Sequence, residues 1–227
     1  MDKRAERGWT VPNILTIVRL LAAPGVAIVF ALLPRPVADW VALALFVGSA
    51  LTDFLDGWIA RAWGQTSRFG AMLDPIADKA MVITALAVVM ALSSLDPLVM
   101  VPAAIILFRE VFVSGLREFL GATSSLLSVT NLAKWKTTAQ MTAIAVLFAS
   151  GMFTHEFRDR TFGMDGATID SILSGQLDDP LSINLILQGE WLTWWLGTIL
   201  LWVAALLTAM TGWDYFAKAL PHLRDPK

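Results

Sequence analysis

Six runs of predominantly apolar residues set the terms for this chain, at approximately 13–33, 38–60, 75–92, 98–120, 132–152 and 191–211. A bilayer's hydrocarbon core is about 30 Å thick, and a helix of roughly 20 residues crosses it. The runs are apolar on nearly every side, whereas a helix packed on a soluble core keeps one polar face. Hydrophobic residues make up 56% of the 227 and charged residues only 16%, too apolar a mixture for an ordinary soluble domain. The expectation is an all-α integral membrane protein, a single domain over 1–227 with six transmembrane helices.

The first run follows Lys3, Arg4 and Arg7, as a secretory signal would. Arg19 interrupts its centre and the run continues to Leu33, so a retained span is expected. Six spans put both termini on one side. That side gathers the basic segment 1–12 and Arg19, Arg61, Arg68, Lys79, Arg109, Arg117, Lys134, Lys136, Lys218, Arg224 and Lys227. Of the 17 basic residues only Arg35, Arg158 and Arg160 fall opposite, so the positive-inside rule makes the termini cytoplasmic. The segment 153–190 then faces outward, and its Glu156, Asp159, Asp165, Asp170, Asp178 and Asp179 suit a water-exposed loop with one short helix at most. Trp191, Trp194, Trp195, Trp213 and Tyr215 flank the last run and read as interfacial aromatic belts. His155 and His222 read as surface residues. The chain has no cysteine, which excludes disulfides, iron–sulfur clusters and thiolate metal sites.

Carboxylates beside long apolar runs are costly and mark functional sites. Asp53 and Asp56 sit at i and i+3 near the end of the second run, and Asp74 and Asp78 at i and i+4 at the start of the third. Each pair shares a helix face. A short turn joins the two helices, so all four carboxylates can meet at one depth. Crowded carboxylates do not all stay ionised without cations, and hard oxygen donors suit Mg²⁺, Ca²⁺ or Mn²⁺. Two such ions can clamp a phosphoryl group. Asp74 before Pro75 has a plainer reading as a helix cap. Gly57 and Ala60 leave room for a ligand along the same stripe, Arg61 offers a fork to phosphate oxygens, and Gly70 thins the entry to the third helix.

Asp53, Asp56, Gly57, Ala60, Arg61, Gly70, Asp74 and Asp78 fill the pattern D-x2-D-G-x2-A-R-x8-G-x3-D-x3-D. The segment resembles the signature of the CDP-alcohol phosphatidyltransferase family. The resemblance implies a six-span membrane enzyme, commonly a homodimer, that uses Mg²⁺ or Mn²⁺ and displaces CMP from a CDP-linked lipid with an alcohol. It implies Asp53, Asp56, Asp74 and Asp78 as ligands to two metal ions, with Asp78 also the general base. Gly57, Ala60, Arg61 and Gly70 would border the CDP-lipid, and Ser67 would touch a phosphate. The stretch "PNILTIVR" resembles a further element of the family and implies Asn13 and Thr16 in the nucleotide pocket.

"REVFVSGLREF", "KWKTTAQM" and "SRFGAMLDPIADK" resemble the branch of that family whose acceptor is sn-glycerol 3-phosphate. Arg109 and Arg117 lie two helical turns apart and Lys134 and Lys136 open the fifth run, all at the cytoplasmic level, as an anionic acceptor needs. The plainer reading pairs these cations with Glu110, Glu118 or lipid phosphate. Lys134 and Lys136 cannot share a helix face well. The expected reaction joins CDP-diacylglycerol to glycerol 3-phosphate at the cytoplasmic side of a bacterial inner membrane, with no nucleic acid involved. Inositol phosphate or serine as acceptor is the alternative. A cation-coupled transporter is more remote, since its carboxylates belong at mid-membrane in repeated, broken helices. The resemblance weakens after Met152, where the outward loop looks long for the branch.

Overall fold

The computed structural model describes residues 10–63, 67–121 and 131–222. Among these residues the chain is helical throughout: α1 (Val11–Leu32), α2 (Val37–Trp63), α3 (Arg68–Leu92), α4 (Pro97–Leu120), α5 (Asn131–Arg160), α6 (Gly166–Leu173) and α7 (Ile183–Ala219), with a closing 3₁₀ turn at Leu220–His222. Among the described residues five helices are long and apolar enough to cross a membrane: α1, α3, α4, α7 and the Trp135–Arg160 part of α5.

Local chemistry explains the helix starts. Thr10 caps α1 by accepting from the Asn13 amide, and Pro12 sits in the first turn, where its missing N–H costs nothing. Asp96 caps α4 by accepting from the Leu98 amide at 2.8 Å, ahead of Pro97. Ser67 caps α3, its Oγ accepting from the Gly70 amide at 2.9 Å. That cap corrects the sequence reading, in which the third run begins at Pro75. The helix starts seven residues earlier, Pro75 lies inside it, and Asp74 is an interior residue and not a cap.

Inside the bundle small residues alternate with large apolar ones such as Leu86, Ile106, Ile144 and Leu201, all fully buried. Ala23, Ala42, Ala85, Ala103, Ala143 and Ala204 are fully buried. They let helix backbones approach closely, as suits association in lipid. Phe46 and Phe148 fill the middle, with ring centroids 6.0 Å apart in an edge-on contact. Leu21, Leu32, Phe108, Val111 and Leu185 are each at least two-thirds exposed, the distribution expected where lipid is the solvent. α1 packs on α2 and α3, and α7 packs on α5 and α4, so the bundle has two three-helix groups meeting along α2, α3 and α5. The starts of α1, α3 and α5 and the ends of α2, α4 and α7 come together at one end.

The segment 153–190 is more ordered than a loop. α5 continues to Arg160 and α7 begins at Ile183, so the helices run past the predicted membrane boundaries and leave a link at 161–182 that carries α6. α7 has 37 residues, about 55 Å at 1.5 Å per residue, well beyond the hydrocarbon core. Two of the acidic residues expected to be merely solvated are caps. Asp165 accepts from Thr168, and those hydrogen bonds hold its carboxyl below the usual carboxylate range. Asp179 accepts from the amides of Asn184 and Ile183 at 2.9 and 2.7 Å, the former most responsible for lowering its pKa.

Where α1 turns into α2, at the end of the bundle that carries this link, Asp39 is fully buried and holds Arg35 in a two-pronged pair, with Nε 2.8 Å from Oδ2. Gly151 on α5 lies against the pair, and a Cβ there would stand 2.8 Å from Arg35 Nη2. The pair thus fixes the turn between α1 and α2 onto α5. Removing one partner of a buried ion pair strands the other charge and costs about 3–5 kcal/mol. Asp39→Ala is therefore expected to lower unfolding stability in detergent micelles by about 3 kcal/mol. Converting both partners, Arg35→Met with Asp39→Leu, is expected to recover most of that loss in the same denaturation assay.

Candidate active site

The site grows from the first turns of α1. Asn13, Thr16 and Arg19 recur every three residues on one face, and all three are buried. A polar stripe of this kind inside an apolar helix needs partners, and α2 and α3 supply them. The Arg19 guanidinium lies among three carboxylates: Nη1 pairs with Asp53 Oδ1 and stands 3.3 Å from Asp78 Oδ1, and Nη2 stands 3.5 Å from Asp74 Oδ1. The Thr16 hydroxyl donates to Asp74 Oδ1 at 2.7 Å. Arg19 is 2% exposed while the three carboxylates are each about half exposed, so the cation forms a floor and the acids an open rim.

Beside this rim, Ser67 Oγ donates to Asn13 Oδ1 at 2.9 Å while accepting from the Gly70 amide. Gly70 is buried, and a Cβ added to it would come within 2.6 Å of Asn13 Oδ1. The glycine is thus required by the close approach of α3 to Asn13. Asp56, Gly57, Ala60 and Arg61 fall on the last turns of α2 and Lys134 in the first turn of α5; their side chains lie outside the described residues.

A cavity of about 370 Å³ opens next to the rim, lined by Arg19, Ser49, Asp53 and Asp78 from one helix group and by Thr137, Thr138 and Met141 of α5 from the other. A larger cavity, about 660 Å³, lies at the opposite end of the bundle, bordered by Arg35, Glu190 and Trp194, remote from the carboxylates. His155 lines it, half-buried, and so is not the plain surface residue its sequence position suggests.

The cationic residues form a second cluster. Glu110 on α4 accepts from Lys136 Nζ at 2.8 Å and from Arg109 Nη1 at 3.0 Å. Arg109 and Arg117 each place their guanidinium carbon 5.5 Å from the ring centroid of Tyr215. Tyr215 is 2% exposed and packs with Val113, Leu116, Leu120 and Ala219, so it is not the interfacial belt residue that the sequence suggests. Its neighbour Trp213 is 70% exposed, as a belt residue would be. Three cations against one carboxylate leave this cluster positive even though Glu110 holds two of them. It lies close to the rim, since Lys79, next to Asp78, donates to Ser114 Oγ at 2.5 Å, and Ser114 donates to the Glu110 carbonyl.

Sequence reasoning passes over Arg19, Glu110, Tyr215 and the two threonines as site residues. Arg19 carries a signal, a charge deep in an apolar run in register with Asn13 and Thr16. Glu110 appears in the sequence only as the plainer partner of these cations, a pairing the structure shows for Arg109 and Lys136, and Tyr215 carries no signal without knowledge of which helices meet.

The carboxylate cluster also bears on metal binding. Three acids against one guanidinium are net negative, and every donor is a hard oxygen, the chemistry that suits a small divalent ion. Among the described residues no three acids stand at ligand spacing, and the guanidinium lies between Asp53, Asp74 and Asp78.

Residues 9–210 match the family model described as CDP-alcohol phosphatidyltransferase. The chain belongs to the CDP-alcohol phosphatidyltransferase family. A relative from Cereibacter sphaeroides, named CDP-diacylglycerol–glycerol-3-phosphate 3-phosphatidyltransferase, is 56% identical over 220 residues, which cover 96% of this chain and 99% of that protein. Relatives with the same name from Rickettsia bellii and Haemophilus influenzae are 37% and 40% identical, covering 91% and 61% of this chain and 93% and 75% of their own lengths. The match to the Cereibacter sphaeroides relative covers 96% of this chain, whereas the match to the Haemophilus influenzae relative covers 61%.

Gly70→Ala tests the seam between α1 and α3. The added methyl displaces Asn13 from Ser67, and phosphatidyltransferase turnover is expected to fall at least tenfold. The melting temperature in detergent should move by only a few degrees, since overpacking costs about 1–3 kcal/mol.

Proposed function

We propose that the protein transfers the phosphatidyl group of CDP-diacylglycerol to the primary hydroxyl of sn-glycerol 3-phosphate, giving phosphatidylglycerophosphate and CMP. The observation that carries this reading is the 56% identity, over nearly the whole chain, to a relative named for that reaction. The adjoining acidic and cationic clusters agree with it.

Asp53, Asp56, Asp74 and Asp78 are the residues to hold divalent metal, two Mg²⁺ or Mn²⁺ ions in this reading. Bound there, the metal would neutralise charge on the donor's pyrophosphate. Asn13, Thr16, Gly57, Ala60, Arg61, Ser67 and Gly70 border the CDP moiety. Gly57 and Ala60 leave the helix surface low, and Arg61 offers two parallel hydrogen bonds to phosphate. Arg109, Arg117, Lys134 and Lys136 hold the acceptor's phosphate, Glu110 setting the positions of Arg109 and Lys136. Asp78 lines the cavity beside the rim, and in this reading it accepts the proton of the attacking hydroxyl. The oxygen then bonds to the phosphorus carrying diacylglycerol, and CMP departs.

The reading places six spans in a bacterial inner membrane, with both termini and the site on the cytoplasmic side, where a soluble phosphate ester is at hand. Donor tails stay in lipid along the apolar helix faces. A homodimer is part of the same proposal.

Purified enzyme in detergent, given CDP-diacylglycerol and Mg²⁺, is expected to release CMP with glycerol 3-phosphate and not with serine or inositol phosphate. Excess chelator should abolish the release. Asp78→Asn is expected to lower kcat by about 10²–10⁴, the range for loss of a general base, with CDP-lipid binding retained. Release that ignored chelator, or an Asn variant near full activity, would overturn these assignments.

Arg117→Gln tests the acceptor cluster separately. It is expected to raise KM for glycerol 3-phosphate about tenfold, as loss of a charge-assisted hydrogen bond does, with KM for CDP-diacylglycerol changed less than twofold.

A further inference from the structure

Arg19 has the wrong sign for a residue among metal ligands, and the surroundings make its position deliberate. It is 2% exposed, at the inner end of the polar stripe of an otherwise apolar helix, and its two terminal nitrogens reach carboxylates from both neighbouring helices. Burying a guanidinium costs several kcal/mol unless good partners surround it. Three carboxylates gathered at one place repel one another, and a cation among them offsets that repulsion. Each side therefore answers the other's cost without any ion from solution.

We propose that Arg19 is a built-in counter-cation of the carboxylate cluster, which holds Asp53, Asp74 and Asp78 together when no divalent ion is bound and competes with that ion when it enters. The inference rests on the metal-binding reading above and adds to it a positioning residue on α1. Its role follows from charge. Two positive groups drawing on the same oxygens repel each other, so the resident guanidinium weakens divalent binding. The return is a site that keeps its shape between turnovers and does not retain its ions too tightly. An arginine there merely to fill space or anchor α1 would act on the fold alone, with or without metal.

The test uses the full-length protein in detergent, with Mn²⁺ as the probe. Two quantities are measured for wild type, Arg19→Gln and Arg19→Lys. One is the Mn²⁺ dissociation constant, from the resonance signal of free Mn²⁺. The other is the melting temperature in excess chelator and in saturating Mn²⁺, followed by tryptophan fluorescence. Arg19→Gln is expected to bind Mn²⁺ about tenfold more tightly, about 1.4 kcal/mol. It should also melt well below wild type in chelator and regain most of that loss in Mn²⁺. Arg19→Lys keeps the charge and should lie near wild type in both measurements. A Gln variant that loses stability equally in chelator and in Mn²⁺, or binds Mn²⁺ no more tightly than wild type, overturns the proposal and leaves Arg19 structural. Wild type that binds no Mn²⁺ overturns the metal reading itself, a result distinct from the first because it appears before any substitution is made.

Discussion

The ion pairs between Arg19 and the three aspartates tie α1, α2 and α3 together at the end of the bundle where the chemistry is expected. Without them α1 would be an apolar helix with little to fix its rotation, because lipid and protein interior offer similar environments to Leu and Val. The buried face Asn13, Thr16, Arg19 sets that rotation by polarity. Ser67 then locks the start of α3 to Asn13 on the same side. Placement of the acids on the rim thus depends on a residue lying beneath it.

The second helix group solves a related problem with opposite charge. Glu110 is the counter-ion there, shared by Arg109 and Lys136, and Tyr215 gives Arg109 and Arg117 an aromatic surface in place of a second carboxylate. A tyrosine ring attracts a cation without cancelling its charge. The cluster therefore keeps its guanidinium groups in fixed positions and stays net positive. An acid in place of Tyr215 would have halved that net charge. The cavity at the seam between the two groups has an acidic wall on one side, with Thr137 and Thr138 of α5, neighbours of Lys136, on the other.

Legibility in the sequence depends on whether a signal is local. The long helices and their order follow from runs of apolar residues, and the aspartate spacing alone puts each pair on one helix face. Helix boundaries are misjudged where the physics of hydropathy and of helix formation part. Pro75 looks like a start because proline favours first turns, yet Ser67 caps the helix two turns earlier. The polar ends of α5 and α7 look like loop because they lie beyond the lipid, where a helix no longer needs apolar side chains. Arg19 reads as an interruption of a signal-like segment, a judgement about α1 alone. Its meaning lies in α2 and α3, and no spacing rule within one helix reveals it. Tyr215 groups with Trp213 in the sequence because both sit near a helix end, although residues two apart on a helix face different ways.

The partition of charge between the two groups bears on substrate order and choice. Under the proposed reading both substrates are phosphate esters, and both are repelled by bare carboxylates. The donor's pyrophosphate approaches the acidic rim only once cations have reversed its sign locally, whereas the acceptor's phosphate meets a cluster that is positive at all times. The two anions therefore cannot readily exchange places, because the acidic rim without metal rejects both and the cationic cluster needs no metal to accept one. A neutral or zwitterionic acceptor such as serine gains little from three cations around one carboxylate, and it leaves their charge less well compensated than a phosphate does. Under this reading, selection for a phosphorylated acceptor over serine follows from the charges carried by α4 and α5, which Tyr215 of α7 leaves uncancelled.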